Sequence, residues 1–104
     1  MMDEINQVAS LLMYEGPTAA ELIQKAVKEN GEFYISNNED ITILTIESTI
    51  AYGLNVKDVY SFNLEGQLIK QTIVMNGKEQ IIFDKYKEAT QILKKLQQKK
   101  RKVS

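Results

Sequence analysis

The sequence predicts an α+β fold: an antiparallel sheet of four or five strands, preceded by two helices and followed by one. Three observations carry that expectation. Apolar residues recur at helical spacing at both ends of the chain, they alternate with polar residues through much of the middle, and turn-forming pairs punctuate that middle region. At 104 residues the chain has the length of a single domain with one hydrophobic core, so residues 1–104 are expected to fold as one small unit.

Ile5, Val8, Ala9 and Leu12 keep helical spacing, which places a first helix near residues 3 to 14, ended by Gly16-Pro17. Thr18 stands three residues before Glu21, the spacing of a capping box, and opens a second helix with a buried stripe of Ala19, Leu22, Ile23, Ala26 and Val27. Gly31 is the expected left-handed stop. Phe33 and Ile35 then alternate with Glu32, Tyr34 and Ser36, and Asn37-Asn38-Glu39-Asp40 reads as a turn into the β-rich run Ile41 to Ile46.

Residues 46 to 54 admit two readings. Leu44, Ile46, Ile50 and Tyr52 share one side of an extended strand, yet Ile46, Ile50 and Leu54 would also line a short helix; the β-branched content favours the strand. Were the segment helical, the order α, β-β, α, β-β-β, α would resemble in outline the roadblock and profilin-like signalling scaffolds, a likeness of fold that implies no role.

Val56, Tyr60, Phe62 and Leu64 share a strand face, Glu65-Gly66 turns the chain, and Leu68 to Met75 returns. Asn76-Gly77 is the strongest hairpin signal, because both residues tolerate the positive φ of a type I′ turn, and it leads into Ile81 to Phe83. Asp84 is placed to cap a terminal helix with apolar positions Tyr86, Ala89, Ile92, Leu93 and Leu96. That stripe is expected to pack on the protein's own sheet. Its spacing from Ile82 also follows a heptad-like seam, over barely two repeats.

Charge is sharply divided. Residues 84 to 104 carry eight Lys or Arg against Asp84 and Glu88, whereas residues 1 to 83 carry twelve acids against five Lys. A net charge of -1 thus conceals a basic end on an acidic body, with residues 97–104 expected as a partly flexible basic tail. Lys94, Lys95, Lys99, Lys100, Arg101 and Lys102 are the candidate partner-binding residues. Cations at a helix C-terminus also complement the helix dipole, so part of their role is local.

The chain has no Cys and no His, which removes disulfides, thiolate metal sites and every imidazole-dependent triad. The sequence nominates no catalytic, metal-binding or cofactor-binding residue, and no cofactor is expected. Glu32, Glu47, Asp58 and Glu65 are the acids from which an enzyme's carboxylate pair would have to be drawn. Asn38, Glu39 and Asp40 lack the register of a calcium loop. Tyr34, Tyr60 and Phe62 would form a base-stacking platform if they shared a sheet face, although core packing is the commoner fate of strand aromatics.

No apolar run approaches the roughly eighteen residues needed to cross a bilayer, and the N-terminus lacks a basic n-region, so a cytoplasmic location without a membrane span is expected. Among sheet edges, Lys57 and Asp58 are expected to guard one and Lys70 and Lys78 another, with Ile41 to Ile46 able to pair with a partner if it lies outermost. The function expected is a binding or regulatory role through protein–protein contact, with a protein partner or homo-oligomer. Weak nucleic-acid binding through the basic helix is the first alternative, and an enzyme with an acidic site the second.

Overall fold

The structure, a computed structural model, describes the backbone of residues 2–103 and the side chains of residues 3–98. Two helices, α1 (Met2–Met13) and α2 (Ala19–Lys28), precede five strands, and a third helix, α3 (Lys85–Val103), closes the chain. The strands are β1 (Glu32–Asn38), β2 (Ile41–Ile50), β3 (Leu54–Phe62), β4 (Leu68–Met75) and β5 (Lys78–Asp84). They form an antiparallel meander in the order β1-β2-β3-β4-β5. The α+β class is therefore established, with the sheet at five strands.

Residues 46 to 54 resolve as strand, turn and strand. Ile46, Ser48 and Ile50 pair with Asp58, Val56 and Leu54, and a single 3-10 turn at Ala51–Gly53 joins the two strands. Tyr52 and Gly53 both take left-handed φ there, of 65° and 70°. The helical alternative, and the scaffold likeness that depended on it, is thereby excluded: the pairing with β3 satisfies backbone groups that a one-turn helix would leave open.

The core sits on one face of the sheet. Leu44, Phe62 and Leu68 are buried together, with Ala19, Leu22 and Ile23 of α2 laid over them and Ile46, Tyr60 and Phe83 around the margin. Helix α2 starts where expected: the Thr18 hydroxyl accepts the Glu21 backbone N–H at 3.1 Å. Its stop differs from expectation. Asn30, not Gly31, is left-handed, with φ 59°. The Gly31 N–H reaches the Ala26 carbonyl at 2.8 Å and the Asn30 N–H reaches Val27 at 3.2 Å, the paired bonds of a Schellman ending. Gly31 is needed instead for close approach, because a Cβ there would stand 3.1 Å from the Glu47 carbonyl oxygen. Val27 likewise leaves the predicted stripe and is 60% exposed.

Helices α1 and α3 do not pack across the sheet. They pack against each other, beyond the end where Leu68 and Phe83 lie, and the molecule is correspondingly long at 57 × 30 × 24 Å. The stripe of α3 expected to cover the sheet instead meets α1, burying Ala89 and Leu96 with Val8. A ring contact between Tyr14 and Phe83, with centroids 5.6 Å apart, joins this two-helix arm to the sheet.

Candidate interaction surface

Helix α3 begins because Asp84 ends β5 as a cap, its carboxylate accepting the Lys87 backbone N–H at 3.1 Å. The next residue, Lys85, is only 1% exposed, and its ammonium donates to the Tyr14 carbonyl at 2.9 Å. That bond fixes the base of the arm. Since α3 starts beside the end of α1, and Val8 and Leu96 are buried farther out, the two helices run antiparallel.

The candidate cations then divide. Lys94 and Lys95 are exposed on α3 toward the outer end of the arm. The side chains of Lys99, Lys100, Arg101 and Lys102, within the tail expected over residues 97–104, lie outside the described residues, while the backbone of α3 continues to Val103. Lys87 is also exposed, near the base, while Lys85 belongs to the packing of the arm despite its charge.

The acids do not converge as one site. Glu32 and Glu47 face each other across β1 and β2, lining an open cleft of about 530 Å³ with Glu29, Ser48, Asn55 and Lys57. Each is already engaged: Glu47 forms an ion pair with Lys57 at 3.3 Å, and Glu32 accepts the Tyr34 hydroxyl at 2.8 Å. Those bonds and charges raise the Tyr34 pKa, the hydrogen bond to Glu32 first. Asp58 lies on the opposite face of the sheet and Glu65 in the turn after β3. Among the described residues, no group of three or more Asp or Glu is placed to hold a metal ion.

Asp58 has an environment that its sequence context does not announce. It lines a small cavity of about 80 Å³ beneath α2, with Lys25, Ser48 and Tyr60 among its neighbours. Burial raises its carboxyl pKa, against the lowering effects of a hydrogen bond from Gln71 and the charge of Lys25. Tyr60 is raised as well, by burial first and then by the Asp58 charge. The cross-strand pairs Asp58–Ile73 and Tyr60–Gln71 assemble this cluster, so only the register reveals it.

The aromatic platform does not form. Tyr34 pairs with Thr45 on the open face, whereas Tyr60 and Phe62 lie on the face under α2, where Phe62 is 2% exposed. The edge assignments also change. The edges are β1 and β5, so Ile41 to Ile46 in β2 is internal and cannot accept a partner strand, and Lys57, Asp58 and Lys70 guard no edge. Lys78 does lie on β5, whose pairing with β4 is broken by a register shift, a bulge that discourages further pairing.

Compared with family models, curated proteins and solved structures, the chain finds no match among any of them. No described helix is long and apolar enough to cross a membrane.

Proposed function

We propose that the protein is a cytoplasmic binding module of the regulatory or adaptor kind, which acts through protein–protein contact. It recruits an acidic protein surface through the basic end of α3 and meets a second copy of itself. The observation that supports this is the placement of Lys94 and Lys95, exposed toward the outer end of an arm that stands away from the acidic sheet body. Charge so displayed steers association and discriminates among partners more than it adds affinity. Binding of nucleic acid through the same cations would have to rest on phosphate contacts alone, since Tyr34 lies across the sheet from Tyr60 and Phe62.

The test is affinity capture from native lysate, with and without nuclease, using the intact chain and a variant carrying Lys94→Glu and Lys95→Glu. A protein partner held by the intact chain, lost from the charge-reversed one and resistant to nuclease supports the proposal. Capture of nucleic acid, or loss of every partner on digestion, refutes it in favour of phosphate binding.

A further inference from the structure

Two Asn-Gly pairs occur in the chain, Asn30-Gly31 and Asn76-Gly77. Such a pair rearranges covalently without a catalyst, because glycine has no Cβ to shield its amide nitrogen from the side-chain amide before it. The reaction needs that nitrogen free of a hydrogen bond and the backbone around it free to rotate. The two pairs are alike in sequence, so the fold alone distinguishes them.

At Asn30-Gly31 neither condition holds. The Gly31 N–H donates to the Ala26 carbonyl at 2.8 Å and the Asn30 N–H to the Val27 carbonyl at 3.2 Å, so the nitrogen that would attack is committed to the end of α2. Gly31 is also pressed against the sheet, where a Cβ would stand 3.1 Å from the Glu47 carbonyl oxygen. Rotating this peptide breaks the Schellman ending of the helix that covers Leu44 and Phe62.

Asn76 and Gly77 are the central residues of the turn between β4 and β5, with φ of 54° and 73°. In a two-residue hairpin turn the closing hydrogen bonds run between the flanking residues, here Met75 and Lys78. The Gly77 N–H accordingly makes none of the backbone hydrogen bonds of the turns and loops, and a Cβ on Gly77 meets nothing within 4 Å. Both residues are exposed, as are residues 78–82 of β5. Because β5 is an edge strand, with its pairing to β4 shifted between Gln71 and Thr72, the hairpin tip opens without disturbing the core.

We infer that Asn76 is a site of spontaneous deamidation and isoaspartate formation, and that the fold protects Asn30 from the same reaction. Hydroxide removes the Gly77 amide proton, the nitrogen bonds to the Asn76 Cγ, and the side-chain amide leaves as ammonia after taking a proton from water. Water then opens the succinimide ring. Cleavage between the nitrogen and Cγ gives aspartate; cleavage between the nitrogen and the Asn76 backbone carbonyl carbon gives isoaspartate, with the chain rerouted through Cγ. Both are hydrolytic steps that need no oxidant or reductant, and either product places a new negative charge beside Lys78. Aspartate tolerates positive φ and keeps the turn, whereas isoaspartate adds a backbone methylene to a turn whose twist must match its strands. The pairs Met75–Lys78 and Val74–Glu79 loosen first.

Peptide mapping by mass spectrometry tests this on the full chain aged at neutral and mildly alkaline pH, folded or unfolded in guanidinium chloride, and digested under mildly acidic conditions. Fragmentation separates aspartate from isoaspartate, and far-UV circular dichroism verifies the folded sample. In the folded chain Asn76 should convert at least about tenfold faster than Asn30, with isoaspartate among the products and a higher rate at alkaline pH. In guanidinium the two rates should converge. Amide exchange in β5 should be faster in the deamidated fraction, separated by ion exchange, than in Asn76→Asp, which carries the charge on an unaltered backbone. An Asn76 that stays intact in the folded chain overturns the inference, as does an Asn30 that converts there at a comparable rate.

Discussion

The ammonium of Lys85 donates a hydrogen bond to the backbone carbonyl of Tyr14, 2.9 Å away and 71 residues earlier in the chain. This contact ties the first residue of α3 to the residue just after α1, and so joins the two ends of the chain into one arm. With Lys85 buried, its removal leaves the Tyr14 carbonyl without that donor. Lys85→Met, which keeps an unbranched stem, is expected to lower unfolding free energy by about 1–3 kcal/mol in urea melts. Amide exchange should accelerate first in α1 and α3, not in β2 and β3.

Gly16 and Gly66 separate backbone strain from crowding. Both have left-handed φ, of 69° and 79°, but a Cβ on Gly16 would stand 2.9 Å from the Leu68 Cβ, whereas one on Gly66 meets nothing within 4 Å. Gly66→Ala should cost about 1–2 kcal/mol for its conformation alone. Gly16→Ala should cost a further ~1–3 kcal/mol, because Leu68 belongs to the core and cannot retreat. Paired thermal melts measure the difference.

Thr18 supplies the first hydrogen bond of α2, the helix that covers the core. Thr18→Ala is expected to destabilise by about 1 kcal/mol and Thr18→Ser by far less, since serine keeps the accepting oxygen. Denaturation midpoints of the two variants give the comparison directly.

Asp58 makes stability depend on pH in the direction opposite to an ion-paired acid. Burial raises its carboxyl pKa in the folded chain. Between the unfolded and folded values the native state holds the extra proton, so stability falls as pH rises through that window and is greatest below it. Asp58→Asn removes the ionisation while keeping a polar group toward Gln71. The variant should gain on the wild type at neutral pH, with the advantage vanishing below the ordinary aspartate pKa; urea melts across pH 3 to 7 test this.

The parts of this fold legible in the sequence are those decided by neighbours in the chain. Thr18 before Glu21, Asn76-Gly77 and Asp84 before α3 each set a backbone angle or a bond within four residues, and each stands as read. Residues 46 to 54 admitted two readings because Ile46 and Ile50 lie on one side of a strand and also on one side of a short helix; β-branched content favoured the strand, and the pairing of Ile46 to Ile50 with β3 decides it. The burial of Lys85 was hidden for a related reason: a lysine reads as solvated until its distant acceptor is known.

The surface was legible only in part. The charge division marked α3, but the partner of its apolar stripe could not be read, because the same spacing serves a sheet, a neighbouring helix or a second chain. That α1 takes one side of the stripe, and leaves Tyr86 and Leu93 open on the other, depends on where the meander delivers Asp84. The faces of Tyr34 and Tyr60 depend on strand register in the same way.

The central claim is that the basic end of α3 is a protein-facing surface. Amide chemical shifts recorded while the intact chain is titrated with poly-glutamate, and separately with a single-stranded oligonucleotide of equal charge, test it most directly. The account predicts perturbations centred on Lys94 and Lys95, no response from Leu44 or Phe62 in the core, and no preference for the oligonucleotide. An unperturbed α3, or markedly tighter binding of the oligonucleotide, would contradict it.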